Sequence, residues 1–451
     1  MIPVLLLFIP LVAGILGFFI KDQKAASNWA IVASVITLLT AVIGIYAMPA
    51  SMHQFEATWL PSIGASFSVS LDGMSKMLVL LTAISMPLIL IATRNNNYSN
   101  PGAFYALMSL AQVGLMGVFV SMDALLFYFF WELALIPVYF LSSIWGGEKR
   151  IAVTFKFFIY TFVGSLLMLV GILLVYLHTK DHSFAWSSFT NTDLTSGEEA
   201  LPFFLFFIAF AIKMPIFPLH TWQPDAYEQA PTATTMVLSG VMVKMGLFAA
   251  IRWVLPIFPF AAHQFAMPII ILSVVGMIYA SLIAIKQDDI KRLIAYSSIA
   301  QIGLIFIEIA LGLEVIALIH ISGNAFLRTY QLLISPSVVS YKIREQLYEY
   351  KPRIRNFEDS LPKRIENTIF ILSLKEWNLD SLMYRYLWNP IKRIGGRWTW
   401  MNFKYIFYVI AFMMTLGLVL LYFSDTIKGE VIHYLPFFFS VFGFLIAIKA
   451  F

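Results

Sequence analysis

Three ionisable side chains stand where an apolar helix tolerates them least. Glu132 lies inside "ALLFYFFWELALIPVYFLSSIW", Lys213 inside "FFLFFIAFAIKMP" and Lys244 inside "TTMVLSGVMVKMGLFAAIRW". A charge at the centre of a bilayer costs about 3 kcal/mol on insertion scales, so such residues are functional hypotheses by default. Desolvation disfavours the charged form of either group, and an opposite charge nearby favours it. A Glu–Lys pair in oil is therefore poised to take up or release a proton when either partner moves or a further charge arrives. The alternative is a static ion pair that fixes helix packing.

Lys213 comes with a second anomaly. In "FFIAFAIKMPIFPLHTWQPDAYEQAPT" two prolines, Pro215 and Pro218, follow it closely, with His220 just beyond. Proline lacks an amide proton and clashes with the preceding turn, so the helix is expected to break near Lys213 and free carbonyls around residues 211 and 214. A break at membrane depth is tolerated only inside protein or beside a water-filled cavity, and broken helices form ion sites in transporters. A kink that only shapes packing is the bland reading. Other polar positions are weaker. Lys156 in "VTFKFFIYT" lies near a helix start and can snorkel to the interface. Gln301, Glu308, His320 and Arg328 fall in two later spans. Histidine titrates near neutral pH and suits proton transfer, though a lone helical histidine is more often a packing residue. Arg328 stays charged, so it steers or pairs and does not shuttle protons.

The elements that must carry these residues follow from composition. The 451 residues are 60% hydrophobic and 12% charged, which marks an integral membrane protein of the all-α polytopic class. Apolar runs between polar breaks predict thirteen transmembrane helices, near 2-20, 28-47, 74-93, 103-121, 123-145, 154-178, 201-219, 232-254, 266-285, 291-311, 313-334, 404-423 and 431-449. The first run lacks a basic lead-in and a small-residue cleavage site, so it reads as a span and not as a removable signal. Lysine and arginine alternate from loop to loop: "KDQK", "TRNNN", "GGEKR" and "KQDDIKR" fall on one side, while "MPASMHQFEATWLPSIGAS" and "TNTDLTSGEEALP" hold none. The positive-inside rule then places the N-terminus outside and the C-terminus in the cytoplasm, with the lipid bilayer as surroundings. Four regions result: N-terminal helices 1-100, a core 101-335, a charged and aromatic segment 336-402, and a helix pair 403-451. In the third region Asn378 offers a helix cap ahead of an apolar stripe at 379, 382, 383, 386 and 387, with Lys392, Arg393 and Arg397 beyond. This segment is expected along the membrane surface, or packed on the bundle's cytoplasmic face or on a partner subunit. The absence of cysteine excludes disulfides and thiolate-bound zinc or iron–sulfur centres within this chain, and no cofactor or metal is expected. His220, Asp225 and Glu228 look metal-like, but "HTWQPDAYE" reads better as the cytoplasmic mouth of the broken helix. The small net charge of +5 is loop bias, and no nucleic-acid motif is present.

The stretches "FFWELALIPVYFL", "KFFIYTFVGSLLMLVGI", "AFAIKMPIFPLHTWQPDAYEQAPT", "VLSGVMVKMGLFAAIRW" and "QDDIKRLIAYSSIAQIG" resemble the antiporter-like, proton-conducting membrane subunits of complex I and of multisubunit cation/proton antiporters. The resemblance covers most of residues 1 to 330. It implies two inverted five-helix repeats, each with a broken helix, and a role for Glu132, Lys213 and Lys244 in proton uptake and release coupled to a partner's reaction. Two departures stand out. Where the family reads a histidine pair and a lysine, this chain has "HISGNAFLRT", with Asn324 and Arg328 in the later places. Beyond "QLLISPSVVSYKIREQ" it turns polar, so the second repeat looks truncated. The ending "LKEWNLDSLMYRYLWNPIKRIGGRW" is similar to L-type chains and to the membrane chain of two-component inorganic-carbon transporters. The leading expectation is a proton-translocating subunit of a NADH-quinone oxidoreductase-like or antiporter-like inner-membrane complex, with other membrane subunits as partners. The alternative is a bicarbonate/CO2 transporter chain with a soluble zinc-containing cytoplasmic partner. A scaffold whose charges only hold helices together is the third reading, and an autonomous enzyme is the least favoured.

Overall fold

The structure, a computed structural model, describes residues 1–195, 197–348, 362–390 and 393. Helices dominate because a chain in lipid must satisfy its backbone donors and acceptors internally. In chain order they are α1 (Ile2–Gly17), α2 (Gln23–Tyr46), α3 (Gly73–Ala92), α4 (Pro101–Val120), α5 (Ala124–Trp145), α6 (Arg150–His178) and a short α7 (Trp186–Thr190). Then come α8 (Ala200–Lys213), α9 (Trp222–Gln229), α10 (Thr232–Ile257), α11 (Pro259–Ala284), α12 (Ile290–Ala310), α13 (Glu314–Tyr348), α14 (Lys363–Leu374) and α15 (Leu379–Met383). Among the described residues eight helices are long and apolar enough to cross a membrane, and α1 and α8 are shorter apolar helices. The expected pair at 404-423 and 431-449 lies outside the described residues, as do Lys392 and Arg397.

The all-α expectation has one exception. Between α2 and α3 the strands β1 (Gln54–Leu60) and β2 (Ala65–Ser70) pair antiparallel, turning at Gly64, whose φ of +72° suits glycine. Burial alternates along β1, as a half-buried strand requires. Helix limits also shift. Helix α11 starts at Pro259 and not near 266, because proline at the first helical position is a start signal. Helix α13 runs on past 334 to Tyr348. Asn378 does precede α15, but it sits at φ +52° and its side chain makes no cap.

Connections alternate between two faces. The basic-loop face carries the turns holding Lys21, Arg94, Lys149 and Lys286. The hairpin face carries β1, β2 and the connections at 121–123 and 179–199, where Lys180 pairs with Asp193 at 2.6 Å. Backbone hydrogen bonds weld this second face: Met122 N–H to Ser68 O at 2.9 Å, Ala124 N–H to Phe184 O at 2.8 Å, and Trp186 N–H to Met122 O at 2.8 Å. Asp123 anchors the weld. Its carboxylate caps α5 by accepting from the amides of Leu125 and Leu126, both at 3.0 Å, and also accepts from the Ser66 amide at 2.9 Å. Burial works to raise the Asp72 carboxyl at the head of α3, and the hydrogen bond and charge of Arg252 outweigh it, holding it below its ordinary value.

Helix α10 is buried from Ala233 to Val254 and packs against α3, α4, α5, α8 and α13. It is not a regular helix: wider π turns occupy Leu238–Met242 and Ala250–Val254, either side of Lys244. Gly246 lets α10 approach the end of α8, since a Cβ there would lie 2.9 Å from both Met214 Cβ and Phe210 O. The outermost helices α2 and α11 expose Val32, Ile36, Leu39 and Ile43, and Met267, Ile271, Val275 and Ile278, apolar stripes suited to lipid or neighbouring subunits.

Two substitutions test these joints. Asp123→Ala removes the cap and the tie to β2 and is expected to cost about 1–2 kcal/mol, seen as a lower aggregation midpoint of the detergent-purified complex; Asp123→Asn keeps an acceptor and loses less. Gly246→Ala is expected to cost about 1–3 kcal/mol in the same assay. Gly73→Ala, whose added methyl meets nothing, serves as the neutral comparison.

Candidate functional site

Helix α8 ends at Lys213, and Pro215 and Pro218 lie in the non-helical stretch before α9. The proline break releases acceptors that new donors take up. Ile216 N–H reaches Ala211 O at 2.9 Å and Trp222 Nε1–H reaches Ile212 O at 2.9 Å, so the Ala211 carbonyl is satisfied and not free as the proline spacing suggested. Lys213 itself is 2% exposed, and its ammonium makes no hydrogen bond among the described residues. It stands 5.3 Å from the Trp131 ring centroid, a cation–π arrangement that holds a desolvated cation without a proton acceptor. Glu132, the next residue on α5, feels the charge of Lys213 and interacts with Ser165 on α6. One of its carboxylate oxygens is buried and makes no hydrogen bond among the described residues.

Beyond the break, His220 is fully buried, with both ring nitrogens unpaired among the described residues. Aromatic rings enclose it: Tyr279 at 5.3 Å, Phe217 at 5.9 Å and Tyr296 at 6.0 Å between centroids. Lys156 pairs with Asp225 of α9 and with Asp380 near the start of α15, each at 2.9 Å, and its charge acts on His220.

Deeper in the bundle, Lys244 donates to Ser239 O at 2.6 Å, across the first π turn. Arg328 of α13 acts on it electrostatically and donates to Ser297 O at 3.0 Å and Gln331 Oε1 at 2.6 Å. Tyr227 hydroxyl, which also interacts with Arg328, accepts from Gln223 Nε2 at 2.7 Å. His320 bridges two residues of α12, with Nδ1 2.9 Å from Glu308 and Nε2 2.8 Å from Gln301. Electrostatic interaction thus links Glu132 with Lys213, Lys156 with His220 and Arg328 with Lys244, through space and not through a direct contact. His320 stands apart, half-buried on the flank of α12 and α13.

The sequence left three features unread. Arg252, two turns beyond Lys244, is 6% exposed and is held by Asp72, Ser75 and the faces of Phe248 and Trp186. Its position in "GLFAAIRWVL" offers the same signal as Lys244, hidden by its nearness to the span's end. Trp131 gives no cue from spacing. The third is an ionic network on the basic-loop face, where Arg292 binds Asp225 at 2.9 Å, Glu228 at 2.7 Å and Glu376. Asp225 and Glu228, three apart on α9, share a helix face, which was the available clue. Among the described residues no group of three or more His, Cys, Asp or Glu side chains gathers to hold a metal.

What these groups can do together is hold and exchange protons in low dielectric, since the site offers paired acids and bases and no activated nucleophile. The family model described as "NADH:quinone oxidoreductase/Mrp antiporter, TM" matches residues 121–356, just over half of the chain. NADH-quinone oxidoreductase subunit M of Rickettsia prowazekii is 37% identical over 354 residues, covering 76% of this chain and 70% of that protein. The subunit M of Escherichia coli K12 is 40% identical over 274 residues, 59% of this chain and 54% of its own length. Respiratory complex I from Thermus thermophilus contains a chain that superposes with a TM-score of 0.70 at 26% identity, over 75% of this chain and 72% of that one. Motifs, fold and relatives agree: this multi-pass membrane chain belongs to the NADH:quinone oxidoreductase/Mrp antiporter transmembrane family.

Proposed function

We propose that this chain is a proton-translocating membrane subunit of a NADH-quinone oxidoreductase-like complex, and that Glu132 and Lys213 trade charge at the break below α8. One observation carries the reading. A lysine at the end of a broken helix is buried against Trp131, feels the charge of a glutamate, and makes no hydrogen bond among the described residues. A buried cation so held is costly, and a static role would be better served by direct pairing. Lys244, with Arg328 behind it, is the next exchange site; His220 and Lys156 serve the approach from the basic-loop face; His320, with Glu308 and Gln301, serves a path toward a neighbouring subunit. Other membrane subunits of the complex are the partners. The basic-loop face is cytoplasmic and the N-terminus lies outside, in the inner membrane of a bacterial cell. The relatives are quinone-oxidoreductase subunits, and the inorganic-carbon alternative finds no support in them.

The decisive measurement is proton movement per electron in the reconstituted complex. Lys213→Ala and Glu132→Gln are expected to lower it by roughly tenfold or more while leaving assembly on native gels intact. Lys213→Arg separates the readings, because arginine keeps the charge and does not release its proton. A relay loses transport in that variant; a packing pair keeps it. Orientation is checked on the cysteine-free chain with Lys21→Cys, which a membrane-impermeant maleimide should label from the cytoplasmic side alone.

A further inference from the structure

The segment after α14 does more than lie against the bundle. Residues Glu376, Trp377 and Asn378 all adopt positive φ, between +52° and +55°, and none is glycine. Three successive left-handed residues are not a local preference of the chain, so contacts from outside the turn must hold it. Those contacts are with the core. Tyr279 donates its hydroxyl to Glu376 O at 2.9 Å and packs against Trp377, while the Glu376 carboxylate binds Arg292. Farther along, Asp380 binds Lys156 at 2.9 Å, and Trp388 donates its indole N–H to Tyr160 OH at 3.2 Å.

Each of these core residues has its other side on the same short stretch. Tyr279 touches the ring of His220. Arg292 and Lys156 both hold Asp225. Tyr160 OH lies 2.9 Å from Thr221 Oγ1. Four contacts from residues 376–388 therefore converge, through one intervening residue each, on residues 220–225, the basic-face end of the break. The carboxylates of Glu376 and Asp380 occupy the sides of Arg292 and Lys156 that Asp225 leaves open.

We propose that residues 376–388 are an intramolecular cover over this mouth, docked by charge and by the Trp388–Tyr160 bond, which controls the access of water and protons to His220 and Lys213. The functional meaning rests on the proton-translocation reading; the cover itself does not. Its attachment is both apolar and polar: Leu379 and Trp388 pack against the core, Leu382, Tyr384 and Tyr386 are exposed, and the ion pairs of Glu376 and Asp380 lie within reach of solvent. A groove of about 250 Å³ lies between the cover and α6, lined by Phe155, Lys156, Tyr160, Asp380, Tyr384 and Trp388. An element held this way opens locally at low cost.

The test uses the complete complex in native membranes with Thr221→Cys, the one thiol of this chain, and a small charged maleimide as probe, read as the mass shift of this chain. Labelling should be slow with the native cover and about tenfold faster in Glu376→Gln/Asp380→Asn. Raised salt should speed labelling with the native cover and leave the double variant unchanged, because screening acts on the ion pairs. Asp193→Asn, on the opposite face, should have no effect. Equal labelling rates with and without the two carboxylates would overturn the proposal. Where the double variant does not assemble, Trp388→Phe removes one donor and should raise labelling in the same direction; an unchanged rate there overturns it equally. Labelling needs no turnover, so a failure of the Lys213 relay and a failure of the cover are read independently.

Discussion

A lysine ammonium cannot be left dry in the middle of a helical bundle unless the structure around it is arranged to bear the cost, and this constraint organises the protein. Helix α8 stops at Lys213, the indole of Trp131 supplies a polarisable face, and Glu132 supplies opposite charge at one remove. Helix α10 closes in from the other side, made possible by the bare backbone at Gly246. Asp123 fixes the start of α5 and so sets the depth at which Trp131 and Glu132 are presented. Each of these features would be a fault in an ordinary transmembrane helix.

The same constraint recurs in weaker forms. Lys244 is satisfied by a carbonyl that the π turn leaves open, and Arg328 by the carbonyl of Ser297 on α12. Arg252 is clamped between a carboxylate, a hydroxyl and two aromatic faces. Backbone carbonyls thus hold Lys244 and Arg328, ring faces hold Lys213 and Arg252, and Arg252 alone of the four adds a direct ion pair among the described residues.

Much of this was legible in the residues. Long apolar runs located the helices, because the bilayer demands a minimum length. Pro215 and Pro218 carry a signal at any reading of backbone donors. The hairpin was legible too: "QFEATWL" and "ASFSVS" alternate, but their position between two spans made them look like an extramembrane loop. What could not be read were contacts whose partners lie far apart in the chain. Glu376 and Arg292 are 84 residues apart, and Trp388 and Tyr160 are 228 apart. The π turns of α10 have no residue signature of their own, since a wide turn is set by the neighbours that a helix must accommodate.

The two ends of the bundle are finished with different materials. At the hairpin end, strand and loop amides are knitted into one another and Asp123 is bonded on several sides, a join indifferent to ions in the surrounding water. At the other end, lysine, arginine and four carboxylates meet in half-exposed pairs. The two rims therefore answer salt differently: screening weakens the ion pairs of one and leaves the amide bonds of the other in place.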